Sequence, residues 1–185
     1  MVYVFLADGF EEIEALAPVD LMRRAGLEVQ TVSIVNNRRV VTGARKISVN
    51  TDITIDEVDV DAASLLVLPG GMPGTNNLAG CDKLMAIVDA FANSGDNRKR
   101  VAAICAAPSV ILGGRGLLNG KKATCYPGME AGMAGAVAVT DKVVTDGNIT
   151  TSRGMGTATE FGLELIKLLC GQEKADEIAV GVVAR

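Results

Sequence analysis

Five short runs of β-branched or aliphatic residues recur along the chain: Val2-Tyr3-Val4-Phe5-Leu6, Val29-Gln30-Thr31-Val32, Leu65-Leu66-Val67-Leu68, Val101-Ala102-Ala103-Ile104 and Ile149-Thr150-Thr151. Continuous apolar runs of this length predict strands buried on both faces. Amphipathic stretches between them predict helices at residues 11–25, 82–94, 108–117 and 157–171. The resulting β-α-β-α order predicts an α/β fold, a doubly wound, mostly parallel sheet with helices on both faces. The stretch from Arg38 to Asn50 predicts a β-hairpin and residues 133–146 a second strand pair, both as additions to the sheet edges. Glu173–Val183 predicts a last short helix. No repeat, linker or change of composition divides the chain, so residues 1–185 are expected to form a single domain.

Composition narrows the chemistry more than the architecture. The chain has no histidine, so no mechanism that needs an imidazole base, acid or metal ligand can be completed within it. Its four cysteines, Cys81, Cys105, Cys125 and Cys170, are widely spaced, form no C-x-x-C pair and follow no secretory pattern. The expectation is therefore reduced thiols in a cytoplasmic protein without a metal site. Apolar runs fall far short of the roughly 20 residues that span a bilayer, which predicts no membrane segment. A net charge of −4 and a single short basic run, Arg98-Lys99-Arg100, predict no direct nucleic-acid binding.

In doubly wound sheets, ligands gather beyond the carboxyl ends of the strands. Three segments there carry candidate chemistry: Ala7 to Glu14 after the first strand, Pro69 to Gly74 after the third, and Cys105-Ala106-Ala107-Pro108 after the fourth. Cys105 closes a buried strand and precedes a proline suited to a first helical turn, the local pattern of a nucleophile elbow. A helix N-terminus beside the sulfur predicts a lowered thiol pKa. The competing reading is a small buried hydrophobe. Cys81 and Cys170 lack that context and read as structural, while Cys125, next to Tyr126-Pro127, stays open. Glu11 and Glu12 read as acidic first-turn residues that complement a helix dipole. Glu14 is placed to turn toward the crevice, where burial raises a carboxyl pKa. Gly70-Gly71 reads either as a plain turn or, with the N–H of Ala106, as a source of oxyanion donors. The first strand is followed by an acidic turn and not by G-x-G-x-x-G, so NAD and FAD are not expected.

Several motifs together resemble one family: Glu11-Glu12-Ile13-Glu14, the segment Pro18 to Gly26, Leu68-Pro69-Gly70-Gly71, Ala102 to Pro108, and Thr151 to Thr157. In order and spacing they are similar to the DJ branch of the ThiJ/PfpI superfamily over nearly the whole chain. The resemblance implies a flavodoxin-like fold and a homodimer. It makes Cys105 the elbow cysteine, Glu14 its carboxyl partner, and Gly71 with Ala106 the backbone donors beside the sulfur. Arg45 and Arg153 match two arginines bordering the family's pocket. Activities implied are glyoxalase or deglycase action on methylglyoxal and its early adducts without a cofactor, or the oxidation-responsive chaperone role in oxidative stress. The partner is accordingly a small aldehyde or an oxidant. Two departures stand out. Ala106 occupies the place after the cysteine where PfpI-type proteases carry histidine, which removes the protease base. Tyr126 stands where strongly active glyoxalases of the family tend to carry histidine, and tyrosine is a poor base near neutral pH.

Overall fold

The computed structural model describes residues 1–35 and 38–184. Strand β1 (Val2–Leu6) is followed by helix α1 (Glu12–Arg24) and β2 (Val29–Ser33); short strands β3 (Val40–Thr42), β4 (Ser48–Asn50) and β5 (Ile53–Thr54) precede β6 (Leu65–Leu68). Helices α2 (Gly74–Ala79) and α3 (Asp82–Ala92) lead to β7 (Arg100–Ile104), which ends in a short π-type helix, Pro108–Gly113. After β8 (Lys122–Ala123), β9 (Val137–Ala138), β10 (Val143–Asp146) and β11 (Ile149–Ser152) come α4 (Ala158–Cys170) and α5 (Gln172–Gly181).

Among the described residues seven strands form one sheet in the order β10-β11-β7-β6-β1-β2-β5. Its pairs are parallel except β10 with β11. The apolar runs are continuous because both faces are covered. Tyr3 and Phe5 of β1 pack with Leu66, Leu84, Val88 and Phe91 on one side. Val2, Val4 and Leu6 point the other way, onto a cluster that includes Val19, Met22, Phe161 and Leu165 of α1 and α4. Each side chain of the run thus has a dry destination.

The fold class is the expected one, and the departures lie at the periphery. The Arg38–Asn50 segment does form an antiparallel hairpin, β3 with β4, but as a separate two-stranded sheet and not as an edge addition. It docks instead on the loop after β1: Gly9 N–H donates to Thr42 O at 2.8 Å, Ala44 N–H to Phe10 O at 2.8 Å, and Thr42 N–H to Asp8 Oδ1 at 2.9 Å. Residues 133–146 do not pair with one another. β9 lies parallel to β8 in a small sheet, while β10 forms the antiparallel edge on β11. The helix expected at 108–117 ends at Gly113. Helix α2 and the edge strand β5 were not anticipated, since six polar-rich residues and a two-residue strand carry too little periodicity to register. The Lys99 ammonium donates to the carbonyls of Val60, Asp61 and Ala63 and sits 4.8 Å from the Phe91 ring centroid.

From β1 the chain steps outward to β2 on one side and resumes at β6 on the other. The carboxyl ends of β1 and β6 therefore bound a topological switch point, where the loops diverge and leave a crevice. The next strand end, that of β7, delivers Cys105.

Candidate active site

Cys105 directly follows β7 and has φ +66°, a left-handed conformation that is costly for a residue with a Cβ. Its N–H donates to Ser152 O at 3.0 Å, and its own carbonyl accepts from Tyr126 N–H at 2.8 Å. The bend is thus clamped between the ends of β11 and the segment after β8, and the half-buried thiol is thrown toward the crevice. Backbone N–H groups of Ala106 and Gly71 both reach the sulfur. Gly71 faces it in a φ of +89°, open to glycine at little cost. At Gly70 a side chain has no room, since a Cβ there would lie 2.6 Å from Glu14 Oε2 and 2.7 Å from Cys105 Cβ.

Glu14 comes from the first turn of α1, which Glu11 caps by accepting the Glu14 N–H on Oε2 at 2.8 Å. The carboxyl of Glu14 is 1% exposed. It accepts the Gly70 N–H at 2.9 Å, a further N–H from Met155, and the thiol of Cys105. Burial pushes its pKa up to about 7, with the charge of Glu11 adding to the rise and the three hydrogen bonds opposing it.

The thiol does not follow the expectation from its position. Burial, and then the neighbouring carboxylate, push Cys105 up to about 12, and the N–H groups of Ala106 and Gly71 offset only part of that rise. The helix after the elbow is a single six-residue π-type segment, which offers little dipole against a buried anion one hydrogen bond away. The two groups act as one pair. The carboxyl releases its proton near neutrality and the sulfur then keeps the proton it shares with Glu14.

The surrounding residues converge on an open cleft of about 610 Å³. Gly71, Ala106, Arg45, Tyr126 and Arg153 all line it together with Cys105 and Glu14, whereas the Gly70 N–H, the other candidate oxyanion donor, is taken up by Glu14. Arg45 arrives on the β3–β4 hairpin, and its backbone N–H donates to Glu12 Oε1 at 2.6 Å. Arg153 follows β11 and donates to Thr140 O at 2.9 Å. Tyr126 is 51% exposed at the mouth.

Three readings need correction or completion. Glu12 does lie in the first turn, but it is 4% exposed and carries the hairpin loop on one oxygen, while the other has no hydrogen-bond partner among the described residues. Cys125 is buried in the core, its thiol donating to Tyr126 O at 3.4 Å and its pKa raised to about 11 by burial. Cys170, at the end of α4, is exposed. Sequence reasoning also missed Met72, Met129 and Met155, which line the same cleft. Their positions after strands were visible, but a methionine alone carries no chemical signal.

The DJ-1/PfpI family profile matches residues 1–168. Protein DJ-1 homolog B of Arabidopsis thaliana is 36% identical over 178 residues, covering 96% of this chain but 40% of that protein, so the chain spans less than half the length of that relative. A protein of Pyrococcus abyssi named as a deglycase is 35% identical over 170 residues, 91% of this chain and 98% of its own. Among solved structures, oxidized Toxoplasma gondii DJ-1 superposes with a TM-score of 0.92 at 36% identity, over 98% of this chain and 97% of the other.

Proposed function

Because the chain belongs to the DJ-1/PfpI family, we propose that it is a cofactor-free enzyme of the glyoxalase or deglycase type, acting through Cys105 and Glu14 on small 2-oxoaldehydes such as methylglyoxal and on their early adducts. The observation that carries this reading is the hydrogen bond between the Cys105 thiol and a Glu14 carboxyl whose pKa is about 7. A base poised near neutrality can take the thiol proton at the moment of attack and hand it on afterwards, which a fully ionised or fully protonated carboxyl does poorly. The deglycase name of the Pyrococcus relative supports a deglycase-type role.

The steps balance without a cofactor. Glu14 removes the S–H proton as sulfur adds to the aldehyde carbon and hands that same proton to the former carbonyl oxygen, which gives a hemithioacetal and leaves Glu14 free as a base. Glu14 then takes the hydrogen on that carbon as a proton, leaving an enediol, and returns it to the adjacent carbon while the hemithioacetal hydroxyl proton passes to the former ketone oxygen, so one carbon is oxidised to a thioester and its neighbour reduced to an alcohol. Water cleaves the thioester, releasing a hydroxyacid and restoring the thiol. The backbone N–H groups of Gly71 and Ala106 stabilise negative charge beside the sulfur. The working form is a cytoplasmic homodimer. No helix of the described residues is long and apolar enough to cross a membrane.

The test is to supply methylglyoxal to wild type and Cys105→Ser and to quantify lactate. Many equivalents of lactate per protein from wild type and none above background from the variant support the enzyme. Loss of aldehyde without lactate, halting at one equivalent per thiol, overturns it.

A second reading has an observation of its own. The same two N–H groups and Glu14 surround the sulfur in a way that suits the oxygens of a sulfinate, so Cys105 would serve as a peroxide sensor or as the trigger of a redox-regulated chaperone.

A further inference from the structure

Part of the cleft takes no share in these steps. Met72 and Met155 are 51% and 55% exposed and, with Met129 and Pro127, they line the cavity that holds Cys105. The three thioethers arrive from three different strand ends, after β6, β8 and β11. Each is fixed through its backbone or that of its neighbour. Gly71 meets the sulfur, the Met155 N–H is accepted by Glu14, and the Met129 carbonyl accepts Ser109 Oγ at 2.7 Å. The side chains of Met72 and Met155 are left half-exposed in the cleft, while that of Met129 is partly buried against the core beneath it.

Half-exposed methionines keep about half of their surface free to be covered, and an unbranched thioether adapts its shape to whatever apolar group arrives. Tyr126, 51% exposed in the same cleft, adds a ring face. The guanidinium-bearing residues Arg45 and Arg153 also line the cavity, which leaves a charged border for the oxygens of a substrate and an apolar rim for its substituent. A methyl group buries little area against such a rim, whereas a branched alkyl or aryl group buries more and displaces more water from it.

We propose that Met72, Met129 and Met155 form a selectivity rim that favours 2-oxoaldehydes carrying a branched or aromatic apolar substituent over methylglyoxal. The proposal rests on the aldehyde reading of Cys105 for its substrate class, and its test keeps the two separable.

The experiment compares kcat/KM for isobutylglyoxal and methylglyoxal in wild type, in the Met72→Ser/Met155→Ser double variant and in the Met72→Leu/Met155→Leu control. One methylene in an apolar site discriminates by about 10- to 200-fold, so a preference of at least about 10-fold for isobutylglyoxal is expected in wild type. The serine pair should reduce the ratio at least about 5-fold and the leucine pair should retain it. Alongside, calorimetry on Cys105→Ser compares binding of the two product acids, leucic acid and lactate, with tighter binding of leucic acid expected. If wild type turns over neither aldehyde but Cys105→Ser prefers leucic acid, the enzyme reading falls and the rim stands as a binding site. Equal binding of the two acids, or a kcat/KM ratio that the serine pair leaves unchanged, overturns the rim.

Discussion

The Glu14 carboxyl accepts the thiol of Cys105 directly under Gly70, whose missing side chain lets the two groups meet. Burial holds the carboxyl near 7, and the same carboxylate, once charged, helps to hold the proton on sulfur. The reactivity of the thiol is therefore a property of the pair, and replacing one member should move the other.

Glu14→Gln removes the negative charge but keeps a hydrogen-bonding amide. The Cys105 pKa should fall by about 1 pH unit or more, since a charge one hydrogen bond away contributes on that scale, while burial keeps it above an ordinary thiol. Ultraviolet thiolate absorbance against pH, with Cys105→Ser as the blank, measures the change. A pKa that stays near 12 would show that burial alone sets it.

Folding stability should carry the imprint of Glu14. Its folded pKa of about 7 lies above the ordinary 4.5, so the native state binds a proton that the unfolded chain has already released. Its contribution is fully present below about 4.5 and is lost as pH rises toward 7. Across that window wild type should lose up to about 3 kcal/mol relative to Glu14→Gln. Urea unfolding of both proteins at the two ends of the window checks it, and a constant difference would contradict the raised pKa.

Alkylation of Cys105 by iodoacetamide should rise with pH through an apparent value near 7 as Glu14 becomes able to take the thiol proton, and that step should disappear in Glu14→Gln. Peptide mass mapping is needed to read it, because the exposed Cys170 offers a competing thiol that the sequence had placed among structural cysteines. A profile for Cys105 without an inflection near neutrality would remove Glu14 as the base.

Mild peroxide should take Cys105 to the sulfinic acid and stop there, two oxygen transfers with two waters released, because Glu14 and the N–H groups of Gly71 and Ala106 can bond the new oxygens. Glu14→Leu should shift the distribution of oxidised forms seen by mass spectrometry. An unaltered distribution would mean that the carboxyl does not hold the product.

Tyr126→His should raise methylglyoxal turnover a few-fold, well below the roughly 100- to 10,000-fold of an ideally placed acid–base group. The backbone of residue 126 is already tied to the Cys105 carbonyl at 2.8 Å, so the graft enters at a fixed point of the cleft. The gain should follow a titration near pH 6 to 7 and vanish in combination with Cys105→Ser. High turnover in wild type that histidine does not improve would show that Cys105 and Glu14 suffice.

The sequence by itself determined the parallel sheet and, with the family resemblance, the polar and reactive residues that meet in the cleft. Runs such as Leu65 to Leu68 and Val101 to Ile104 are apolar on both faces, and only strands covered on both sides can bury them. Strand ends in such a sheet share one edge, so Glu14, Gly71, Cys105 and Arg153 could be assigned to one crevice from spacing and resemblance before any distance was known. Short edge elements were not legible: β5 and the β8–β9 pair hold two residues per strand, and the partners of β10 depend on which neighbour is near in space. The burial of Glu12, the exposure of Cys170 and the methionines of the rim were equally out of reach, because each follows from what lies across from a side chain. The same holds for the thiol. Local position beside a helix start argued for an acidic Cys105, but the tertiary structure buries the thiol and then sets a carboxylate against it, and the two together outweigh a one-turn helix dipole.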